Sequence, residues 1–412
     1  MTRPLWDLVV VGAGPAGLSA ATVAADRGLS VLVLDESDRP GGRLCGQLHE
    51  RPGANRGGCW WNGLDVAEQL ARSAYDAKVK IELRQAVWGL FRERGDWIVA
   101  TRSPDSSSSH HSKRVLLATG AGEDPLPLPG WELPGVMSVG AAQVLANVHR
   151  VKPGRRAVVV GIDILSLTIA RELTLAGVDV LAVVLPPDLS GQDSRADPAD
   201  VVRRLVGLAR FHPSPVLRLL GRAAQGLGAG RWAHRFYPQQ GLPAWGMRVR
   251  ARTACLQVVG RDEAEGVVLA PLDRYGRPVS HQAYTLPVDL VCLAGGLTPL
   301  AELAAVAGCR FAHIPELGGQ VPLHGSHYET TAERIYVAGN ITGVESAEVA
   351  LAQGTAAGLA IALDAEAKAS PEELVTALKR LKRIRVEADI HFLETVDAGR
   401  QELARRWEVQ DA

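Results

Sequence analysis

The sequence predicts an α/β protein, because a pattern of strand, glycine turn, helix and second strand occurs twice along the chain. The first copy spans residues 6–36, with an apolar strand before Gly12 and a small-residue helix that ends at a glycine. The second copy spans residues 157–185, with Gly161 in its turn. Short apolar runs that alternate with such helices are typical of buried parallel strands. We therefore expect two Rossmann-like dinucleotide-binding domains.

The remaining segments predict additions to these two domains. Residues 85–103 alternate between apolar and polar like strands joined at Gly95, and residues 113–121 form another strand that enters a glycine turn, so a β-meander is inserted in the first domain. Amphipathic pieces near 186–245 predict a helical insertion, and Pro371 opens a charged helical tail. The predicted domains are a discontinuous first domain at 1–122 and 296–365, an NAD(P)-binding-like domain at 123–295 and a helical tail at 366–412.

Composition and charge exclude several classes of function. The 412 residues are 47% hydrophobic, which suffices for two or three domain cores, and 45 basic residues balance 45 acidic ones, so no overall field attracts nucleic acid. The five cysteines form no C-x-x-C pair, which argues against a disulfide scaffold or a cysteine-rich metal site. The apolar stretch Leu8–Val11 is too short for a leader or a membrane span. We expect a cytoplasmic protein without nucleic-acid or integral membrane contact.

The first glycine turn has the chemistry of a pyrophosphate site. A helix N-terminus carries about half a positive charge and free N–H groups, which bind phosphate. Of the three glycines, the first allows the tight turn, the second leaves room for phosphate, and the third lets helix and strand pack closely. Asp35, at the end of the second strand, is placed to accept hydrogen bonds from a ribose, and Glu36 is the alternative. The turn itself reads Gly12-Ala13-Gly14-Pro15-Ala16-Gly17.

Three further motifs follow in order: Gly41-Gly42-Arg43, Ala118-Thr119-Gly120 and, after a late apolar strand, Gly339-Asn340. With the first turn they resemble the FAD domain of the pyridine nucleotide–disulfide oxidoreductase superfamily. In that family the position of Asn340 is usually an aspartate near the ribityl–phosphate part of the flavin, and an amide keeps the hydrogen-bonding shape without the charge. The resemblance implies an FAD site made of Gly12, Gly14, Pro15, Ala16, Gly17, Asp35, Glu36, Gly41, Gly42, Arg43, Val87, Ala118, Thr119, Gly120, Gly339 and Asn340.

The second glycine turn lacks the residues that a nicotinamide cofactor needs. Gly161 is the only glycine kept between residues 161 and 166, and Asp163 stands where the backbone would meet a phosphate. The following strand ends in Leu185-Pro186-Pro187, with neither an acidic residue for a ribose nor an arginine for a 2′-phosphate. We expect a domain that keeps the fold without binding NAD(P), although ATP or NAD(P) binding is left open.

Residues 116–145, 288–309 and 335–363 resemble a narrower group, the flavin-carrying α-type subunits of heteromeric amine and amino-acid dehydrogenases (opine, proline and sarcosine-like). This resemblance implies that a small amine or amino acid is oxidised at a second flavin, in a partner dehydrogenase subunit, while this chain transfers electrons. No catalytic base stands out in the sequence, and Cys45 has no second cysteine for a dithiol relay. Because residues 366–412 contain no cysteine, we expect no iron–sulfur centre held by this chain alone.

Two other functions remain open at this stage. The chain could be a stand-alone NAD(P)H-dependent flavin reductase that works as a homodimer. It could also be a nucleotide-binding structural subunit whose second fold holds ATP or AMP.

Several groups have no assigned role. Trp60 and Trp61 either flank a flavin or pack. His324 and His327 are spaced like a metal pair, with Glu316 and Glu329 nearby, but we expect ordinary exposed histidines and no metal. Basic residues either dock an acidic partner or form solvated helix faces: these are the run Lys379–Arg385 and, in the insertion, Arg203, Arg204, Arg210, Arg218, Arg222, Arg231 and Arg235.

Overall fold

The computed structural model describes residues 4–50, 60–188, 194–209, 214–226, 234–388, 392–393 and 395–410. Its helices are α1 Pro15–Asp26, α2 Gly63–Asp76, α3 Val139–Gln143, α4 Ile164–Leu175, α5 Pro198–Leu208, α6 Pro215–Gly226, α7 Glu302–Val306, α8 Ala347–Asp364, α9 Pro371–Glu387 and α10 Val396–Gln410. Its first strands are β1 Leu5–Trp6, β2 Leu8–Val11, β3 Val31–Leu34, β4 Leu48–Glu50, β5 Trp60–Asn62, β6 Lys80–Glu82, β7 Ala86–Glu93, β8 Asp96–Arg102, β9 Ser107–Ser112, β10 Val115–Leu117 and β11 Ala121–Glu123. The later strands are β12 Val136–Ser138, β13 Arg156–Val160, β14 Asp179–Leu185, β15 Leu242–Ala244, β16 Met247–Val259, β17 Gly266–Pro271, β18 Tyr284–Pro287, β19 Leu290–Leu293, β20 Leu297–Pro299, β21 Phe311–Ile314, β22 Gly319–Pro322 and β23 Ile335–Val337.

The chain divides into two compact units. The first unit contains residues 1–45, 62–122 and 297–412, and the second contains residues 46–61 and 123–296. The sequence-based domain boundaries given above remain a prediction.

The first unit is built on a parallel five-stranded sheet in the order β23-β10-β2-β3-β6. Both faces of this sheet are covered, which explains the continuous apolar runs of its strands. In β2, Leu8 and Val10 face one buried cluster with α1 and α8, while Val9 and Val11 face a second cluster that includes Trp97 of the meander. The predicted meander is present as the antiparallel strands β7, β8 and β9, and β1 extends that sheet by parallel pairing with β9.

Helices α1 and α8 pack closely because small residues face each other at their crossing. A Cβ atom added to Gly354 would lie 2.2 Å from the carbonyl oxygen of Ala16, and one added to Gly358 would lie 2.6 Å from that of Ala20. Larger residues at these positions would force the helices apart. The small-residue composition of both helices is therefore a packing requirement that fixes where α1 begins beneath the sheet edge.

The second unit repeats the parallel arrangement. Its sheet runs β12-β19-β13-β14-β16-β17-β18, with parallel pairing from β12 to β16 and antiparallel pairing from β16 to β18. Alternate residues of β13 again belong to two different buried clusters, with Ala157 and Val159 in one and Val158 and Val160 in the other. Two glycine-turn α/β folds are thus present, and the predicted fold class is confirmed.

A buried glutamate connects three segments of the second unit. The Glu172 carboxylate, on α4, accepts hydrogen bonds from Gln143 Nε2 (2.8 Å), Asn147 Nδ2 (2.8 Å) and the Leu48 backbone N–H (3.1 Å). Asn147 Nδ2 also donates to the Gly46 carbonyl at 2.7 Å. Burial raises the pKa of Glu172 to about 7, although the three donors lower it.

The insertion and the tail are helical where the structure describes them. Helices α5 and α6 lie in the insertion, and α9 and α10 form the tail. Helix α9 begins with a capping box in which Ser370 and Glu373 bond each other's backbone N–H groups. Within the described ranges, no helix is both long enough and apolar enough to cross a bilayer.

Candidate functional site

The predicted site residues of the first unit lie at one edge of its parallel sheet. Gly12 follows β2, Asp35 follows β3, Ala118 follows β10 and Gly339 lies two residues after β23. These four strands are parallel neighbours, so their carboxyl ends meet at the same edge, where open α/β sheets bind their ligands. The strand pairing continues past the strand ends, because the Gly12 and Ala118 N–H groups donate to Leu34 and Val11 carbonyls, both at 2.8 Å.

The glycine turn before α1 leaves the helix N-terminus open. Gly12 has φ +106°, and a Cβ there would lie 2.4 Å from the Ala118 carbonyl oxygen, so only glycine fits. A Cβ at Gly17 would lie 1.9 Å from the Gly12 carbonyl oxygen. Gly14 is the N-cap, no side chain caps the helix there, and a Cβ on Gly14 would meet nothing within 4 Å. The first N–H groups of α1 therefore face space that a phosphate can occupy.

Asp35 fastens the turn to the neighbouring strand. One carboxylate oxygen accepts the Ala13 N–H at 2.6 Å, and the other accepts the Ser37 N–H at 2.8 Å. The side chain is 8% exposed, and each oxygen keeps a second lone pair for a further donor such as a ribose hydroxyl. Glu36 is exposed.

The predicted meander residue Val87 lies close to this strand end. Two residues before it, the Gln85 N–H donates to the Asp35 carbonyl at 2.8 Å. The side chain of Val87 packs against the cluster between sheet and meander.

The Gly-Gly-Arg segment lies against the first turn. The Gly41 N–H donates to the Ala13 carbonyl at 2.8 Å, and a Cβ on Gly42 would lie 3.1 Å from Gly14 Cα. Both glycines have positive φ, at +121° and +54°. Arg43 is exposed and donates through Nε to the Ala121 carbonyl at 3.0 Å. Its terminal guanidinium nitrogens have no acidic partner among the described residues and are available to an anion at this edge.

The Ala118-Thr119-Gly120 turn is held by the later part of the same unit. The Thr119 hydroxyl donates to the Leu300 carbonyl at 2.5 Å, and the Leu300 N–H donates to the Gly120 carbonyl at 3.1 Å. Gly120 has φ +82°. The turn therefore crosses the end of β10 beside Gly12 in a fixed conformation.

The fourth motif opens a short 3₁₀ helix, Gly339–Thr342, beside the start of α1. A Cβ on Gly339 would lie 2.8 Å from that of Ala16, which places this loop directly against the glycine turn. The Gly339 N–H donates to Gln353 Oε1 at 3.0 Å, and Gln353 Nε2 donates to the Thr342 hydroxyl at 2.9 Å. Asn340 Oδ1 accepts the Glu345 N–H at 3.2 Å, so the amide that replaces the family's aspartate holds the loop itself.

The C-terminal tail reaches this loop through buried charges. Arg400 on α10 donates to the Thr342 carbonyl at 2.7 Å and to the Glu345 carboxylate. Arg385 on α9 donates to the same carboxylate from Nε at 2.8 Å and from Nη2 at 3.2 Å. Burial alone raises the pKa of Glu345, but the two guanidinium groups outweigh it and hold the pKa below its usual value. The tail thus fixes the loop at residues 339–345.

These contacts identify positioning residues that the sequence motifs did not. Gln353, Thr342, Glu345 and Arg400 hold the fourth motif, yet none belongs to a glycine motif. Gln353 had a signal, because it is a long polar side chain in the small and apolar helix α8 and is 1% exposed. Arg400 had none, since it is one of many charged residues in the tail.

The second glycine turn is closed by its own side chain. Asp163 is the N-cap of α4, its carboxylate accepts the Ser166 N–H at 2.7 Å, and the Ser166 hydroxyl accepts the Asp163 N–H at 2.9 Å. Burial raises the pKa of the Asp163 carboxyl, although the Ser166 hydrogen bonds oppose this. Gly161 has φ +116°, and a Cβ there would lie 2.7 Å from both Cβ and the carbonyl oxygen of Ala294. A protein carboxylate therefore occupies the helix end that a phosphate uses in the first unit.

One expectation from the sequence is wrong. His324 is buried rather than exposed, because it forms a strand bridge with Thr330 and its ring packs on Tyr328 with centroids 5.7 Å apart. Burial lowers its pKa to about 4, with Arg400 and Arg385 acting in the same direction against the Gly325 carbonyl, so the ring is neutral. His327 is exposed, as expected. Among the described residues, no three His, Cys, Asp or Glu side chains form a group that could hold a metal ion.

The other unassigned residues receive simple placements. Cys45 is buried, with its Sγ 3.4 Å from the Pro40 carbonyl oxygen, and burial raises its pKa. Trp61 is buried and stacks on His49, whereas Trp60 is exposed. Arg210 and Arg231 lie outside the described residues, as does the side chain of Arg222.

Comparisons with known proteins agree with this site. The model of the family described as pyridine nucleotide-disulphide oxidoreductase matches residues 6–200. The first of two opine oxidase relatives, from Agrobacterium tumefaciens (strain Ach5), is a subunit of that enzyme and is 32% identical over 370 residues, which cover 87% of this chain and 66% of that protein. The chain therefore spans just under two thirds of that relative. The corresponding opine oxidase subunit of Rhizobium meliloti (strain 1021) is 30% identical, with 87% and 71% covered.

A solved structure shares the fold. L-proline dehydrogenase from P. horikoshii superposes with a TM-score of 0.64 at 20% identity, covering 92% of this chain and 59% of that chain. The fold, the site geometry and the relatives agree with the resemblance predicted from the motifs, and the chain belongs to the pyridine nucleotide-disulphide oxidoreductase family.

Proposed function

We propose that the first unit binds FAD and that the chain is an FAD-dependent oxidoreductase. The observation that carries the proposal is the open N-terminus of α1, where Gly14 faces free space and no side chain caps the helix. Gly12, Gly14, Pro15, Ala16 and Gly17 form the pyrophosphate cradle. FAD supplies a two-electron acceptor when it is bound.

The other predicted residues complete the proposed site. Asp35 receives the ribose hydroxyls on the free lone pairs of its carboxylate, with exposed Glu36 beside it. Arg43, whose terminal nitrogens face no described acid, pairs with the diphosphate. Lining the same sheet edge are the backbone and side chains of Gly41, Gly42, Val87, Ala118, Thr119, Gly120, Gly339 and Asn340.

Release of the bound cofactor tests the proposed site. We expect the purified full chain to be yellow and to release about one FAD per chain on heat denaturation, identified by chromatography against FMN and free adenine nucleotides. A colourless chain to which FAD cannot be restored would contradict the proposal. Release of adenine nucleotide without flavin would instead favour a structural nucleotide-binding subunit.

We further propose that the chain is the electron-transferring subunit of an amine or amino-acid dehydrogenase complex. In such a reaction the substrate C–N bond loses a hydride and a proton to become an imine, which water hydrolyses, and the two electrons pass on through flavin. Two observations support this role. The curated relatives are named as subunits of opine oxidase, and Asp163 fills the helix end where a nicotinamide cofactor would place its diphosphate.

Reconstitution tests the role in a complex. The full chain is co-expressed with the product of a neighbouring gene that encodes an amine-oxidase-like flavoprotein, and amine-dependent reduction of a dye is measured. We expect activity only when both chains are present and when this chain retains its flavin. Equal activity of the partner with an FAD-free Gly14→Asp variant would refute electron transfer through this chain.

A further inference from the structure

A polar pocket of about 400 Å³ lies within the second unit, away from its glycine turn in sequence. Its walls come from the turn before β15, from strands β16 and β18 and from the chain just before β18. The volume falls in the range of small-molecule sites. Neither the motifs nor the proposed electron transfer uses this pocket.

The pocket carries a concentrated positive charge. Arg248 and Arg250 of β16 both line it, and alternate residues of a strand project from the same face about 7 Å apart. The lining contains no aspartate or glutamate. Neither arginine forms an ion pair with any residue in the described part of the chain. Two positive charges are therefore available to a ligand.

The remaining polar lining consists mainly of hydrogen-bond donors. The amides of Gln239, Gln240 and Gln282 face the pocket, as does the hydroxyl group of Tyr284. Arg250 Nη1 donates to Tyr284 Oη at 2.5 Å, while Arg250 Nε is buried and has no hydrogen-bond partner. A buried N–H without an acceptor is unfavourable, and a bound oxyanion would supply the missing acceptor.

The backbone around the two arginines is fixed without a ligand. Gly241 has φ +77°, and a Cβ there would lie 2.4 Å from the Val249 carbonyl oxygen and 2.8 Å from Arg250 Cγ. The buried Tyr237 hydroxyl donates to the same Val249 carbonyl at 2.6 Å. The turn is thus seated tightly on β16 between the arginines, which is the pre-organisation that a binding site requires.

We propose that this pocket binds a small organic anion that carries two carboxylate or phosphate groups. A dianion neutralises both arginines, and its oxygen atoms accept the hydrogen bonds that the amides and Arg250 Nε offer. A dicarboxylate with a short carbon chain matches the spacing of the two charges on the strand. The site is independent of the proposed flavin site, because every residue involved belongs to the second unit.

Titration calorimetry on the full chain tests the proposal. Glutarate and inorganic phosphate are titrated separately at low ionic strength into the wild type and into the Arg248→Gln and Arg250→Gln variants. We expect either substitution to weaken binding about tenfold or more, since each removes one charge-assisted pair. Arg274→Gln is the matched control, because Arg274 is an exposed arginine of the same unit that lies over the Tyr275 ring.

Each result has a defined meaning. Glutarate binding that both pocket variants weaken supports the dicarboxylate, and binding of phosphate alone with the same losses supports a phosphate-bearing ligand. An Arg250→Lys variant, which keeps the charge and loses the fork, should bind with intermediate affinity, and circular dichroism checks that all variants fold. The proposal is overturned if neither anion binds at millimolar concentration, or if Arg274→Gln weakens binding as much as Arg250→Gln.

Discussion

The two glycine turns of this protein have the same position in their folds and opposite states. In the first unit the N-cap of the helix is Gly14, with no capping side chain and nothing within 4 Å of a Cβ there. In the second unit the N-cap is Asp163, which closes a capping box with Ser166. A helix N-terminus attracts an anion in either case, and a ligand phosphate and a protein carboxylate compete for the same place. The comparison teaches that one residue at the N-cap separates a turn that can hold a cofactor from one that supports only the fold.

The largest expected effect comes from giving the first turn the residue of the second. Gly14→Asp places a carboxylate at the proposed phosphate position and caps α1, and φ −74° at this position tolerates a side chain. We expect FAD affinity to fall by about 4 kcal/mol or more, from lost charge-assisted hydrogen bonds and added repulsion. Flavin retained after gel filtration and its fluorescence titration measure the loss. Gly14→Ala is the control, and a flavin loss as severe in Gly14→Ala would mean that bulk, and not charge, is responsible.

The next effect concerns what holds the first turn in place. The second turn packs against Ala294, whereas the first is adjacent to a loop fastened by Arg400 and Glu345. Arg400→Gln leaves the buried Glu345 with Arg385 alone, and we expect the free energy of unfolding to fall by about 3 kcal/mol, with faster flavin release. Denaturant unfolding and the rate of flavin release after dilution measure both effects. Arg405→Gln, which removes an exposed ion pair with Glu402, should change neither; equal effects of the two variants would contradict a specific role of Arg400.

Sequence patterns predicted the four motifs at the sheet edge because each needs residues at fixed short spacing, such as the positive φ of Gly12. They could not predict the network of Arg400, Glu345 and Thr342, since those contacts join residues up to 58 positions apart. The burial of His324 was missed for a related reason. Its environment is made by Tyr328 and the tail arginines, and not by its own sequence neighbours.

A third prediction asks whether the second fold behaves as a structural module. Glu172 has its pKa raised to about 7 by burial, so its neutral form is favoured in the folded state. As the pH rises from the unfolded value of 4.5 to about 7, the unfolded carboxyl ionises first, and the free energy of unfolding falls; above that range the contribution is constant. We expect this group to account for about 2 kcal/mol of stability lost between pH 5 and pH 8.

Urea unfolding at pH 5 and pH 8 measures that contribution. Glu172→Gln cannot ionise, so its pH dependence should be flatter than that of the wild type by this amount, whatever its stability at one pH. Parallel pH profiles for the two proteins would show that Glu172 does not titrate in this range.

The smallest effect comes from opening the second turn. Asp163→Ala removes the capping carboxylate from α4, and we expect the free energy of unfolding to fall by about 1 kcal/mol. Thermal unfolding measures this change. Asp163→Asn keeps a capping oxygen and should recover most of the loss, whereas an equal loss in Asp163→Asn would show that the cap is not what Asp163 contributes.

Anaerobic rapid mixing of the flavin-loaded chain with NADH or NADPH tests the central claim most directly. The closed second turn predicts that the flavin absorption band stays unbleached on the time scale of turnover, while dithionite bleaches it fully in the same preparation. Fast bleaching by either nicotinamide at modest concentration would contradict the account, because the turn at Gly161–Ser166 would then accept the diphosphate that Asp163 is proposed to exclude.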